Sequence, residues 1–329
     1  MPIYFGNTKT VEIKIEKGDS NRRLDKFLFQ YLNNAPHSFI YKMLRKKRIK
    51  LNNSRAQGNE ILAQGDKIKF YFSDETLESC KKMRVVAIAK PLTSNNIVFE
   101  NDDILIVDKP AGLPSHGGMG NNYHLLARIL YYLRETGAFE PTATFTPALC
   151  NRLDVNTSGL VVCGKNIHAL QAVNNLFSTR KIDKEYLTIV EGVIGAVGEM
   201  KTLEGYYQKD SHTNKAYIGK KETGMLAITI YKVLAISKSK KYSLVSVMPV
   251  TGRSHQIRAH FASISFPLAG DKKYGGSPTP FAPTQLLHCK RLTPIAEELP
   301  SFPFPFPEVT TPPPKNFLTC LQNLFNYSL

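Results

Sequence analysis

An α+β fold carrying a mixed, mainly antiparallel sheet is predicted by two observations on the sequence. Apolar residues recur at helical spacing in three places: Leu24, Phe27, Leu28, Tyr31 and Leu32; Leu126, Ile129, Leu130 and Leu133; and Leu170, Val173, Leu176 and Phe177. Strand-like runs at 186–190, 226–232 and 242–250 make the second half sheet-rich. Mixed helices and antiparallel strands of this kind pack as an α+β domain.

The elements follow in order. Val11, Ile13 and Ile15 alternate with Glu12, Lys14 and Glu16, a half-buried strand before the turn at Gly18-Asp19. The first helix stripe ends at Asn33-Asn34, and a second short helix starts at Ser38 with Ile40, Met43 and Leu44 inward. Arg45-Lys46-Lys47-Arg48-Ile49-Lys50 then places five positive charges in six positions. Gly65-Asp66 turns the chain into a strand at Ile68, Phe70 and Phe72. Residues 73–93 lack periodicity and read as a linker. Ile104-Leu105-Ile106-Val107 has the length of a buried strand, and Pro110-Ala111-Gly112-Leu113-Pro114 breaks it. The loop His116-Gly117-Gly118-Met119-Gly120 lacks the Gly-Lys-Ser/Thr ending of a nucleotide-phosphate loop, so a tight turn is expected. Gly137 can terminate the helix of Leu126–Leu133. Beyond Thr293, Phe302-Pro303-Phe304-Pro305-Phe306-Pro307 and Pro312-Pro313-Pro314 oppose regular structure, and the tail is expected to lie extended, anchored by its Phe residues.

The 329 residues suffice for one large core and a small domain. With 43 Lys and Arg against 27 Asp and Glu, the net charge of +16 favours a polyanionic partner, nucleic acid above all. No apolar run has the length of a membrane-spanning helix. Cys80, Cys150, Cys163, Cys289 and Cys320 are odd in number and contain no C-x-x-C pair, and Met1-Pro2-Ile3-Tyr4 does not begin a secretory leader. A reducing cytoplasm is the expected setting, and a monomer the expected state.

The chemistry is concentrated in Leu149-Cys150-Asn151-Arg152-Leu153-Asp154-Val155-Asn156-Thr157-Ser158-Gly159-Leu160, polar residues crowded between apolar runs. Alone, Asp154 could merely organise a turn through its side chain. Arg152-Leu153-Asp154 with Thr157-Ser158-Gly159, however, resembles the signature loop of the RluA family of RNA pseudouridine synthases, whose Asp is catalytic. Lys184-Glu185-Tyr186 resembles that family's K-x-Y motif. Thr251-Gly252-Arg253-Ser254-His255-Gln256-Ile257-Arg258-Ala259-His260 resembles T-G-R-x-H-Q-I-R-x-H, and Leu287-His288-Cys289 the final L-H motif. The motifs occur in the family's order between about Ile97 and Leu292. Asn151 is the one departure, standing where the family usually has His.

The resemblance implies a pseudouridine synthase fold and an isomerase. Asp154 would be the catalytic carboxylate, Arg253 its ion-pair partner, and Tyr186 the residue that stacks on uracil. Arg152 would replace the flipped base, with Lys184, His255, Arg258 and Leu287 also at the substrate. D-K-P-x-G and H-G-G-x-G, at Asp108–Gly112 and His116–Gly120, point to the RluC-like branch and thus to large-subunit ribosomal RNA. Transfer RNA is the alternative substrate. Arg23-Leu24-Asp25-Lys26-Phe27, the basic turn and Gly65-Asp66 resemble an αL RNA-binding domain; Arg23, Lys26, Lys42, Arg45, Lys46, Lys47, Arg48 and Lys50 would then hold phosphates, whereas a lone charge run is usually a solvated face. The domain plan is a lead-in at 1–20, the αL domain at 21–73, a linker at 74–96, the catalytic domain at 97–293 and the tail at 294–329. A non-catalytic RNA-binding or ribosome-assembly factor is the rival reading, and a hydrolase of free nucleosides a third. His255 and His260, five residues apart, would face 140° apart on a helix and lack the zinc spacing, so neither metal nor organic cofactor is expected.

Overall fold

The computed structural model describes residues 10–15, 19–80, 91–117, 123–140, 145–210, 212–219, 224–279, 281–295 and 306–327. The chain divides into two compact units: residues 1–87 with 133–147 and 165–168, and the remainder.

The first unit contains strand β1 (Val11–Lys14), helices α1 (Leu24–Tyr31) and α2 (His37–Arg45), strands β2 (Ile49–Leu51), β3 (Ser54–Arg55) and β4 (Lys67–Phe70), and helix α3 (Asp74–Cys80). The strands pair antiparallel in the order β1-β4-β2-β3. The expected helix stripe closes over this sheet: Leu24, Phe27, Leu28 and Leu32 are buried with Ile40, Leu44, Ile49, Ile68 and Phe70. Buried Asp25 accepts from Arg23 Nε and Nη2 at 3.1 and 2.7 Å and from Tyr41 Oη at 3.0 Å. Helix α3 occupies the start of the stretch expected to be a linker, and residues 81–90 of that stretch lie outside the described residues.

The second architecture is an eleven-stranded sheet among the described residues. Its strands are β5 (Ile97–Glu100), β6 (Ile104–Lys109), β7 (Ala148–Leu149), β8 (Ser158–Gly164), β9 (Ile182–Glu191), β10 (Met200–Asp210), β11 (Lys215–Gly219), β12 (Met225–Ile236), β13 (Tyr242–Pro249), β14 (Leu287–Pro294) and β15 (Val309–Thr310). The order is β11-β10-β12-β13-β9-β14-β8-β6-β5, with β7 on β8 and β15 on β14. Helices α4 (Leu125–Glu135), α5 (Ile167–Ser178), α6 (Gln256–Ser263) and α7 (Lys315–Phe325) complete the set. Each pairing is antiparallel except β14 with β8, which run parallel with His288 opposite Ser158 and Cys289 opposite Gly159. That junction is tight because Gly159 has φ +112° and a Cβ there would lie 2.2 Å from the Cys289 carbonyl oxygen. Only glycine lets β8 approach β14 so closely.

The tail departs from the extended reading. Residues 302–305 lie outside the described residues, but after Pro312-Pro313-Pro314 the chain forms α7. Its Phe317, Cys320 and Leu321 are buried with Leu187, Ile189 and Leu244. Proline is tolerated just before a first helical turn, where its missing N–H has no helical acceptor. Among the described residues no helix is long and apolar enough to cross a membrane.

Candidate active site

The signature loop is fixed from both sides before it delivers Asp154. On the entering side, Asn151 Nδ2 donates to Leu160 O at 3.2 Å and its Oδ1 accepts from Val162 N–H at 2.8 Å. The residue that departs from the family pattern thus fastens the loop base to the backbone of β8. Buried Ser115 grips Leu153, donating to its carbonyl at 2.8 Å and accepting from its N–H at 3.1 Å. Lys109 is fully buried at the end of β6, and its ammonium donates to Pro110 O, Leu113 O and Val155 O at 3.0, 2.7 and 3.0 Å. Its three hydrogens therefore join the proline turn to the residue after Asp154. Burial pulls this lysine down to about 7, against the opposing pull of Asp154 and Asp108.

On the leaving side, His288 Nε2 lies 3.1 Å from the Thr311 carbonyl, which can only accept, so Nε2 carries the proton. Its Nδ1 then accepts from Ser158 Oγ at 2.9 Å. Burial holds this histidine down at about 4, so it is a neutral brace at physiological pH.

Asp154 emerges half-buried, and its ion-pair partner is Arg258 rather than Arg253. Arg258 Nη1 donates to Asp154 Oδ2 at 3.0 Å, while its Nε and Nη2 donate to Asp271 at 2.7 and 2.8 Å. The Arg258 and Asp271 side chains are only 7% and 1% exposed. A planar guanidinium has donors enough to serve both carboxylates, and the two raise its already high pKa despite its burial. Arg253 is exposed on the loop before α6, where its backbone N–H caps Gln256 Oε1 at 3.0 Å. The reason lies in the local fold. Helix α6 begins only at Gln256 and buries every residue from Gln256 to Phe261, so Arg258 is the arginine carried into the interior.

His255 sits just before that helix in the left-handed conformation, φ 56°. Its Nδ1 lies 3.0 Å from Tyr274 Oη, which itself accepts from Ala216 N–H at 2.8 Å. On its other side the imidazole places Nε2 3.8 Å from Asp154 Oδ1. Burial lowers the His255 pKa, with Arg258, Lys273 and Lys209 adding to the effect against Asp154. His260 is separate, buried in the core with Nδ1 2.8 Å from Thr229 Oγ1.

Tyr186 and Lys184 share one face of β9. Tyr186 pairs with Cys289 across β14, and burial with the adjacent thiol raises its hydroxyl well above 10, so it is a neutral phenol. Burial lowers Lys184. Glu185 points the other way, accepting from Ser246 Oγ at 2.8 Å and pairing with Arg291. Leu287 belongs to the apolar cluster beside Tyr186. Arg152 is exposed on the signature loop, and its charge adds to the burial that lowers the His116 pKa.

Asp154, His255 and Arg258 line a cleft of about 400 Å³ with Asp271, Lys272, Lys273, Asn214 and Gln285. Arg152, Lys184, Tyr186, Arg253 and Leu287 do not line it. Asp271 and Tyr274 lie outside the quoted motifs, and Lys109, inside D-K-P-x-G, is given no role by that pattern. An arginine inside the apolar run Ile257, Ala259, Phe261 was the available signal, since such a charge requires a buried acid.

In the N-terminal unit, Lys26, Lys42, Arg45, Lys46, Lys47 and Arg48 are exposed and Lys50 is half-buried with its ammonium 5.1 Å from the Tyr71 ring centroid. Among the described residues Lys42 and Arg45 to Lys50 have no carboxylate partner, whereas Arg23 is engaged by Asp25.

A family model described as RNA pseudouridylate synthase matches residues 103–263, the span that carries Asp154, Tyr186 and Arg258. The chain is 30% identical over 282 residues to ribosomal large subunit pseudouridine synthase C of Rickettsia bellii, covering 82% of this chain and 88% of that protein. It is 30% identical over 276 residues to the protein of the same name from Buchnera aphidicola, covering 83% of each. The solved structure of human RNA pseudouridylate synthase domain containing 4 shares the fold with TM-score 0.53 at 22% identity, covering 69% of this chain and 92% of that one. A human protein titled RNA pseudouridylate synthase domain containing 1 does so with TM-score 0.52 at 24% identity, covering 68% and 86%. Relatives at this identity along most of the chain, together with a family model spanning the loop that presents Asp154, make this chain a member of the RluA family of RNA pseudouridine synthases.

Proposed function

We propose that the chain isomerises uridines of large-subunit ribosomal RNA to pseudouridine, with Asp154 as the reacting carboxylate. The observation that carries this reading is the geometry of Asp154, which lines the cleft with Oδ2 held by Arg258 at 3.0 Å and Oδ1 3.8 Å from His255 Nε2. One oxygen is committed to the guanidinium, and the other is the one we assign to the reaction. The reaction breaks the N1–C1′ bond, turns the uracil, forms C5–C1′, and moves a proton from C5 to N1. A carboxylate can attack C1′ or take a sugar proton, and either route uses Oδ1.

Tyr186 stacks on the uracil, and its neutral phenol suits stacking better than proton removal. Arg152, exposed on the loop, takes the place of the flipped base, and flipping costs least in an RNA loop. His255 presents Nε2 to the substrate, while Lys184 and Leu287 support the uracil side of the site. The exposed cations from Lys42 to Arg48, with half-buried Lys50, hold backbone phosphates. Names of the curated relatives support ribosomal over transfer RNA as substrate.

The test is nucleotide-resolution mapping of pseudouridine in unmodified ribosomal and transfer RNA transcripts incubated with the protein. Modification of large-subunit RNA, abolished by Asp154→Asn with RNA binding retained, is expected. Turnover by Asp154→Asn would remove Asp154 from the chemistry, and modification of transfer RNA alone would overturn the substrate.

A further inference from the structure

One wall of the cleft is built from residues that none of the four motifs contains. Lys272 and Lys273 line it directly after Asp271, in a short 3₁₀ turn over Lys272–Tyr274, and Asn214 lines it from the β10–β11 hairpin. Lys273 Nζ donates to Thr213 O at 3.1 Å and to Asn214 O at 2.8 Å. That ammonium is therefore anchored across the hairpin tip. Lys209, near the end of β10, pairs opposite Ala216, whose N–H donates to Tyr274 Oη at 2.8 Å beside Lys273, and the charges of both lysines help to lower His255.

Among the described residues no carboxylate forms an ion pair with the lysines of this wall. Both carboxylates of the cleft, Asp154 and Asp271, accept from Arg258. Asp210, the acid on the hairpin, accepts from Thr213 Oγ1 at 2.7 Å and from His212 N–H at 2.8 Å. Among the described residues Lys209 and Lys272 have no carboxylate partner, and both are exposed. Anchored and free ammonium groups around a cleft are suited to phosphate oxygens, which a lysine meets as a point charge without reading sequence.

We infer that Lys209, Lys272 and Lys273 form a phosphate-binding wall that grips the phosphodiester groups flanking the target nucleotide, an assignment resting on the RNA substrate proposed above. Lys272 is adjacent in sequence to Asp271, which holds Arg258, which holds Asp154. A phosphate seated on this wall fixes the ribose relative to Oδ1, and such positioning is a large part of what binding contributes to rate. The wall is distinct from the basic stretch Arg45–Lys50 in its residues and in its role: one sets affinity for the RNA at large, the other the register of a single nucleotide.

The experiment compares wild type with Lys209→Gln, Lys272→Gln and the double variant, leaving Lys273 intact because it ties down the hairpin. Equilibrium binding to a large-subunit RNA transcript is measured between about 50 and 200 mM salt, and turnover is followed on the same RNA. Each substitution is expected to flatten the log–log salt dependence by about 0.7–0.9 and weaken binding about fivefold near physiological salt. KM rises correspondingly, and kcat at saturating RNA falls as well because the ribose loses its register with Oδ1. Lys209→Arg and Lys272→Arg restore the slope, which a folding defect would not. Salt slopes and KM equal to wild type in both glutamine variants would overturn the wall. Absence of pseudouridine formation by wild type on every RNA would instead overturn the substrate reading, and the binding slopes would still decide the wall.

Discussion

At the scale of single residues, the site turns on which arginine meets Asp154. The sequence offers two in one motif, and only the start of α6 separates them: Arg253 falls on an exposed loop and Arg258 on a buried helix face. Lysine at 258 would keep the charge but could not hold Asp271 through two nitrogens and Asp154 through a third. Arg258→Lys is expected to lower single-turnover pseudouridine formation about 100-fold or more, the size seen when one preorganised donor is lost from a site. Arg253→Gln should stay within a few-fold of wild type, and a loss as large as that of Arg258→Lys would refute the pairing. Lys109 supplies a second test, through pH. Because burial lowers its pKa to about 7, the folded chain holds this proton less tightly than the unfolded chain, where lysine titrates near 10.5. Between those values the unfolded state binds more protons, so the stability due to Lys109 rises with pH and is least below 7. The difference in urea unfolding free energy between wild type and Lys109→Met is expected to widen in favour of wild type from pH 6 to pH 9. An unchanged difference would mean that the ammonium stays charged throughout, held by its three carbonyls.

At the scale of elements, the parallel contact of β8 with β14 carries the loop. Three strands set Gly159, Cys289 and Tyr186 side by side, so the end of the Asp154 loop and Tyr186 are neighbours through one residue of β14. Gly159→Ala would drive a methyl group into the Cys289 backbone at a φ that L-residues rarely adopt. A loss of at least about 3 kcal/mol is expected, from strain added to a lost strand contact. Chemical denaturation measures it, and a change under about 1 kcal/mol would show that β8 can retreat from β14 without cost. The glycine of the signature loop is thus a packing requirement, whereas the loop's Asn151 is a backbone fastener that replaces a ladder hydrogen bond.

At the scale of the whole molecule, legibility followed periodicity. Helices α1, α2, α4 and α5 and strand β12 announced themselves through spacing, because one face of each is buried, whereas β6, buried on both faces, showed as an unbroken apolar run. The β10–β11 hairpin did not, for its exposed face carries polar and apolar residues alike, and α7 was hidden behind the prolines that in fact precede its first turn. Motifs located Asp154, but the acid that holds its arginine lies thirteen residues beyond Arg258 and becomes visible only in three dimensions. The charge surplus was legible as a number and not as a place. In the N-terminal unit the structure gives it one: Arg45, Lys46, Lys47 and Arg48 are exposed and without carboxylate partners among the described residues, while Arg23 is spent on buried Asp25. Replacing those four with glutamine should therefore leave folding within about 0.5 kcal/mol per site, as surface changes do. RNA affinity should weaken at every sequence alike, and the log–log salt slope should fall by about 3, roughly 0.7–0.9 for each cation removed. Turnover at saturating RNA should persist, since none of the four belongs to the Asp154 cleft. Arg23→Gln is the contrasting case, expected to lower stability by uncovering the Asp25 carboxylate while moving the salt slope little. A quadruple variant that keeps the wild-type slope would return the basic stretch to the status of a solvated face.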